Sequence, residues 1–437
     1  MTTAVVIREY ARLTTEAVSD SLDEAQVSTS AFDWLCDLSG SFSRSGATLL
    51  QVEGRRSLRW DSYVGVLETP CGTRIEILPK HFEQGDCIQR SRALLRTMIQ
   101  AALDLKSRQA SVTGLDLFDA PLTEWVMGQF LAELDELTKR GIRFDYKRVE
   151  EEQRFLRGQL NVVAQMRQPP GRQHHFQIRH DVFVPDRAEN RLLALALEHV
   201  AKTTQDAGNW RLANELRSLF AQVPTSRDVS ADLKAWSRDR LMVHYQPIKP
   251  WCELILNQQM PVALAGQWQG MSLLFPMERL FERYVEASLS EQLQSGARLK
   301  PQSSSEYLCQ HDQSAMFRLK PDLLIDTPQQ RWILDTKWKR VSAGLRDKNY
   351  GLSQSDFYQL FAYGHKYGLE GSAPKLVLIY PYWSGLLEPL PAFEYGKGMS
   401  LWVLPFDLEN KRLMGVELAD LPLRGQLAST TSLEMFA

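Results

Sequence analysis

Hydrophobic and polar positions change period several times along the chain, and each change predicts an element. From residue 1 to about 80 the pattern is strand-rich. Alternation runs over Tyr63–Leu67 and Arg74–Leu78 on either side of a Thr69–Gly72 turn, which predicts a hairpin. The period then lengthens. Residues 87–106 and 121–140 carry apolar side chains at helical spacing, in the second case Leu122, Trp125, Val126, Phe130, Leu134 and Leu137, with Gly141 placed to end the helix. Residues 142–163 read as charged strands and the Pro-Pro-Gly segment after them as a loop. Residues 188–206 and 209–220 read as helices, the first clearly amphipathic. From about 271 the order is mixed: a helix from Pro276 to about Gln294, strand-like segments at 304–310, 316–326 and 331–338, a helix at 353–367, and apolar strands at Lys375–Tyr380 and Leu401–Pro405. The expected fold class is mixed α+β. Three domains are expected: a β-rich and helical one at 1–165, a helical connecting region at 166–270, and an α/β domain at 271–437, with the last boundary in the Gly-containing stretch 265–272.

The segment RLKPDLLIDTPQQRWILDTKWKR carries candidate chemistry. If the turn Thr327–Gln330 closes a hairpin symmetrically, Asp322 lies opposite Asp335, with Cβ atoms about 5 Å apart. Lys337 is two residues beyond Asp335 and shares its face. Leu323, Ile325, Trp332 and Leu334 take the other face and suit a core. Facing carboxylates repel unless a cation sits between them, and oxygen donors of this kind suit Mg²⁺ or Mn²⁺. Such an ion is a Lewis acid and lowers the pKa of its water, while Lys337 would orient that water or neutralise charge growing on a phosphate. The plainer reading of these residues is a hairpin with ordinary surface charges. Glu278 and Glu282 share one face of the upstream helix, and Glu282 is placed to complete a metal shell; a solvated acidic face is the alternative. Downstream, Asp356, Gln359 and Tyr363 fall at helical intervals. Gln359 and Tyr363 would bond a phosphate or the attacking water, against the alternative of one wet helix face.

Charge and composition narrow the field. The chain has 437 residues and a net charge of −2, from 51 basic and 53 acidic side chains, so any nucleic-acid contact must be local. The run Lys337, Lys339, Arg340, Arg346 and Lys348 is one such patch, unless it is simply a solvated loop. Arg140, Arg143, Lys147, Arg148, Arg154 and Arg157 form another, interrupted by Glu150–Glu152, and an internally paired surface is the plainer account. His174, His175 and His180 lack metal-ligand spacing, and Trp332 and Trp338 read as packing. There is no GxxxxGK[ST] phosphate loop and no GxSxG, so nucleotide hydrolysis would fall to another chain and serine chemistry is unsupported. No apolar run is long enough to span a membrane, and the N-terminus has no secretory pattern. Five scattered cysteines without CxxC suit a reduced, cytoplasmic setting.

Asp322 within KPDLLID and Asp335-Thr336-Lys337 resemble the PD-(D/E)xK nucleases, and the Gln359–Tyr363 helix resembles the extra motif of their RecB-like branch. The pieces GVLETPCGTRIEILPK, GIRFDYKRVEEEQRFLRGQL, AENRLLALAL, FPMERLFERYV, RLKPDLLI, WILDTKWK and DFYQLFAYGHKY, in that order from about residue 60 to 405, resemble the McrC family. The resemblance implies a C-terminal PD-(D/E)xK α/β nuclease domain and an Mg²⁺-dependent DNA endonuclease subunit of a McrBC-like restriction system. Its implied partners are DNA and a McrB-like AAA+ GTPase ring that recognises modified DNA and translocates it, with the N-terminal part docking on the ring. It implies Asp322, Asp335, Lys337 and Glu282 as catalytic residues and the Thr336 carbonyl as a metal ligand. Lys339, Arg340, Arg346 and Lys348 would bind DNA. The competing expectations are a nuclease serving a different NTPase or unmodified foreign DNA, and a non-catalytic adaptor that holds DNA.

Overall fold

The computed structural model describes residues 4–19, 21–44, 48–81, 88–105, 121–172, 174–237, 239–257, 272–368, 372–396 and 398–424. The chain divides into two compact units: one joins residues 1–119 to 274–437, and the other is 120–273. This differs from the expected division at 165 and 270. The N-terminal strands pack with the C-terminal α/β region instead of forming a separate docking domain, and the middle of the chain is an insertion between them. The anticipated linker at 265–272 lies almost wholly outside the described residues, as does the C-terminal tail.

The discontinuous unit is organised around a seven-stranded sheet. Its strands run in the order Arg298–Pro301, Leu323–Asp326, Arg331–Thr336, Lys375–Pro381, Met399–Asp407 and Phe393–Gly396, and Arg412–Leu413 pairs with Met399–Asp407. The central three strands are parallel. Both faces of such strands are covered, so they read as continuous apolar runs. Leu376, Val377, Leu378, Ile379 and Tyr380 are accordingly all buried. The helix Met277–Gln292 brings Phe281 and Tyr284 against Phe406, and the helix Gln354–Tyr367 buries Leu360, Tyr363 and Tyr367 in a cluster with Leu324, Ile333 and Leu378. The expected division into a core face and a chemical face is therefore too simple. Leu324 and Ile333 lie on the same face as Asp322 and Asp335 by strand alternation, yet they are core; the acidic positions come where the strands run out of it.

Two four-stranded sheets and the antiparallel pair Tyr307–His311 and Ser314–Arg318 complete the described part of this unit. The expected hairpin appears as antiparallel Tyr63–Glu68 and Arg74–Leu78, turning at Gly72 with φ 83°, and Ala4–Arg8 joins it in parallel. The strand Leu273–Pro276 completes that sheet. The helix Thr29–Arg44, which the strand-rich reading of the first 80 residues misses, buries Ala31, Phe32, Leu35 and Leu38. The second sheet runs Glu24–Gln26, Arg12–Thr14, Ser57–Trp60 and Leu50–Gly54.

The inserted unit holds the helices Leu122–Arg140, Ala188–Thr203, Ala207–Leu219 and Lys249–Asn257, with a three-stranded sheet built on Asp145–Gln153 and Phe176–Val184. All six apolar positions read from the first helix are buried, and Gly141 ends it at φ 89°. Part of the charged stretch expected as strand is the short helix Val162–Met166, capped by the Asn161 side chain. Of that basic region, Lys147 and Arg148 form ion pairs with Asp186 and Asp181.

Buried Glu124 ties this unit together. Its carboxylate accepts from Thr204 Oγ1 at 2.6 Å, the Gln205 amide at 2.7 Å and Asn209 Nδ2 at 3.0 Å. Replacing it removes the acceptor of the Thr204 hydroxyl and the Gln205 amide, while Asn209 Nδ2 keeps its bond to the Glu124 main-chain carbonyl. Glu124→Ala is expected to cost about 2–4 kcal/mol, and Glu124→Gln about half that. Urea denaturation of the whole chain, followed by tryptophan fluorescence, measures this; a loss within error for Glu124→Ala contradicts the account.

Candidate carboxylate–lysine site

The hairpin closes as its symmetry requires. Leu323 pairs with Leu334, Ile325 with Trp332 and Asp326 with Arg331, around a turn in which the Thr327 amide donates to the Gln330 carbonyl at 2.9 Å. One step beyond Leu323 and Leu334, the same register sets Asp322 against Asp335. Oδ2 of Asp322 accepts from the Thr336 amide at 2.7 Å and its hydroxyl at 2.8 Å, which ties the chain before one strand to the end of the next. Lys337 continues that strand's line through its amide, which donates to the Ile379 carbonyl at 2.9 Å. Its ammonium forms an ion pair with Asp335.

The electrostatics are those of a crowded, poorly hydrated cluster. Asp335 is 1 % exposed. Burial, and then the neighbouring charge of Asp322, push its pKa up to about 7 against the lowering pull of Lys337. Its Oδ2 meets the Lys337 ammonium as an ion pair, yet no hydrogen-bond donor is aligned with that atom. For Lys337, burial pulls the pKa down, but the carboxylates of Asp335, Asp356 and Asp322 outweigh it, and the net shift is upward. Glu282, half-buried on the helix Met277–Gln292, accepts from Gln302 Nε2 at 2.8 Å, and burial raises its pKa.

Asp335 itself is buried and does not line the adjoining cleft of about 580 Å³, whose walls include Tyr10, Arg279, Glu282, Asp322, Thr336, Lys337, Lys339 and Asp356. Gln359 reaches the cluster from behind: its Oε1 lies 3.5 Å from Lys337 Nζ, and its Nε2 donates to Tyr363 Oη at 2.6 Å. Tyr363 is not a phosphate or water binder here. It is buried, and its hydroxyl donates to the Lys320 carbonyl at 3.1 Å, so it props Gln359 from the core. Of the basic run, Lys339 lines the cleft. Arg340 donates to the carbonyls of Lys80 and His81, both at 2.9 Å, and stacks over Trp383. Arg346 and Lys348 sit away from the cleft wall in an exposed turn where Asn349 and Tyr350 take positive φ.

Sequence reasoning named Asp356 without giving it a role, and missed Tyr10. Asp356 stands on the cleft with its Oδ1 4.0 Å from Lys337 Nζ, and its place in the helical spacing with Gln359 was the available signal. Tyr10 comes from a distant N-terminal segment, and no local pattern announces it.

The two neighbouring carboxylates are oxygen donors of the kind a hard divalent ion takes. Among the described residues no three His, Cys, Asp or Glu side chains are gathered closely enough to form a complete protein shell. An ion here would keep several waters, as Mg²⁺ does when held by one or two carboxylates.

Compared with known proteins, residues 58–381 match the family model described as McrBC 5-methylcytosine restriction system component. No curated protein matches. Among solved structures, the chain is similar to one in the refined half-complex from the tetradecameric assembly of Thermococcus gammatolerans McrB AAA+ hexamers with bound McrC. The identity is 17 %, the TM-score 0.69, and coverage 93 % of this chain and 95 % of that one. It is also similar to a chain of the Thermococcus gammatolerans McrBC complex determined by cryo-EM, at 19 % identity and a TM-score of 0.51, covering 66 % of this chain and 87 % of that one. At such identities the likeness is one of fold.

These findings correct the narrower expectations. Assignment to the McrC family, a PD-(D/E)xK nuclease fold, endonuclease activity and a McrB-like GTPase ring as partner all rested on ordered short pieces of sequence. The matched family is named for the whole McrBC system, and the matched assembly contains McrB and McrC together. What stands is a mixed α/β chain of that system. An AAA+ nucleotide site does not follow for this chain from a fold likeness. Its 437 residues hold no GxxxxGK[ST] loop, and the charged cluster that it does hold is a carboxylate pair with a lysine.

A carboxyl whose folded pKa is raised holds its proton more tightly in the folded state. The stability it contributes is full below the unfolded value near 3.8 and is lost as pH rises through about 7. Without divalent ions, Asp335→Asn is therefore expected to gain on the wild type between pH 5 and 8, by on the order of 2–3 kcal/mol. Added Mg²⁺ should narrow the gap by stabilising the wild type alone. Denaturation midpoints across that pH range test this, and a gap that does not change with pH contradicts it.

Proposed function

Because the chain belongs to the McrBC 5-methylcytosine restriction system component family, we propose that its carboxylate–lysine cleft binds Mg²⁺ or Mn²⁺ and hydrolyses a phosphorus–oxygen bond. The observation that carries this reading is the buried Asp335 set against Asp322, with the Lys337 ammonium beside it on the wall of an open cleft. Such a cluster is costly to assemble and is relieved by a bound cation.

Asp322 and Asp335 would hold the ion, with the Thr336 carbonyl alongside and Glu282 at the edge. When bound, the ion supplies Lewis acidity and a more acidic water. Lys337, whose raised pKa keeps it charged, stabilises negative charge as it grows on the phosphate oxygens. Asp356 and Gln359 hold that ammonium in place from the helix Gln354–Tyr367. Lys339 at the cleft wall is the cation placed to meet a polyanionic substrate. The chain works beside the other component of its system, as McrC is bound to McrB hexamers in the similar Thermococcus gammatolerans assembly.

The test offers GTP and 5-methylcytosine-containing duplex DNA separately to the full chain, with its co-expressed partner, in Mg²⁺ or in EDTA. Hydrolysis of one of them should require Mg²⁺ and fall at least about 10³-fold in Asp322→Ala and in Lys337→Ala, with circular dichroism unchanged. Wild-type rates in either variant, or full activity in EDTA, would refute the assignment. Which substrate is consumed identifies the bond broken.

A further inference from the structure

Glu9 is a fully buried carboxylate that the hydrolytic reading does not use. It follows the strand Ala4–Arg8, and its amide extends the pairing of that strand by donating to the Leu78 carbonyl at 3.0 Å. Its two oxygens face two other parts of the chain. Oε1 accepts from the Lys80 amide at 2.9 Å, and Oε2 accepts from the Trp338 indole N–H at 2.8 Å. Trp338 follows Lys337 directly, and its ring packs on Phe281 with centroids 5.3 Å apart. Arg340 adds a parallel tie by donating to the carbonyls of Lys80 and His81. The next residue, Tyr10, takes a φ of 62°, in the left-handed region that non-glycine residues rarely occupy, and it lines the cleft beside Asp322 and Lys337. A costly buried acid thus holds together a strained cleft residue and the chain that leaves the lysine-bearing strand.

We propose that Glu9 is a positioning residue: through Trp338 it fixes the strand exit that carries Lys337, and through its own turn it sets Tyr10 into the cleft wall. The N-terminal segment is then part of the site and not a separable docking piece. This rests on the hydrolytic reading of the cleft for its kinetic consequence only. Arg340 and Lys80 are the charged groups that face Glu9, and burial raises its pKa to about 7 against their pull. An amide keeps one acceptor oxygen for the Trp338 indole N–H and turns its NH2 toward the Lys80 amide.

The test uses the full chain labelled with 5-fluorotryptophan, with the Trp338 resonance assigned from Trp338→Phe. In Glu9→Ala that resonance should move, and Glu9→Gln, which keeps an acceptor for the indole N–H, should restore it. In the Mg²⁺-dependent assay Glu9→Ala should lose about 10–100-fold and Glu9→Gln far less. Trp338→Phe should lose a similar factor, and the double variant no more than either single one, because both cut the same link. Losses that multiply, or an unmoved Trp338 resonance in a folded Glu9→Ala, overturn the proposal. Should Glu9→Ala not fold, Glu9→Asp, whose shorter side chain withdraws the acceptor from the indole N–H, takes its place in the same cycle with Trp338→Phe. If the wild type hydrolyses neither substrate, the hydrolytic reading fails, while the position of the Trp338 resonance still decides the role of Glu9.

Discussion

Two carboxylates brought together at the ends of adjoining strands set the terms for the rest of this molecule. Asp335 loses nearly all its water and lies against Asp322, so both desolvation and like charge oppose its ionisation. The structure meets this cost locally with the Lys337 ammonium and with the Thr336 amide and hydroxyl on Asp322. It does not remove it, because the Asp335 pKa stays raised to about 7 against the pull of Lys337. Tension of this kind is characteristic of sites that await a cation or a reacting group.

The fold supplies the rigidity that keeps such a cluster assembled. The parallel centre of the seven-stranded sheet is packed on both faces, and the carboxylates emerge where its strands leave the core, the position at which open α/β sheets present ligands. Helices from both faces reach the same place, Glu282 from one and Asp356 with Gln359 from the other. Tyr363 shows how a residue with the right spacing serves indirectly: buried under the sheet, it braces Gln359 through its hydroxyl. The N-terminal strands close the arrangement through Glu9, Lys80 and Arg340.

Local interactions made much of this readable in one dimension. Helical spacing marked Leu122–Arg140 and its end at Gly141, because a helix with one buried stripe must repeat its apolar residues at that interval. Alternation and a turn marked both hairpins, and a hairpin's register follows from its turn length, so the meeting of Asp322, Asp335 and Lys337 was legible. The family pieces were legible too, at the level of the restriction system; the distinction between its subunits was drawn from the same pieces and did not survive comparison. The helix Thr29–Arg44, whose stripe runs through Phe32, Leu35, Leu38 and Phe42, was missed in a stretch where strands flank it closely on both sides.

By itself the sequence determined the periodicities, the hairpin that carries the acids, and the absence of a phosphate-binding loop, all of which depend on residues near one another in the chain. Only the tertiary structure decided that residues 120–273 are an insertion, that Tyr10 stands in the cleft, and that Glu9 holds Trp338. The last two join positions more than 300 residues apart. Such contacts come from burying apolar surface and then satisfying whatever polar groups that burial traps, and neither leaves a spacing that can be read along the chain.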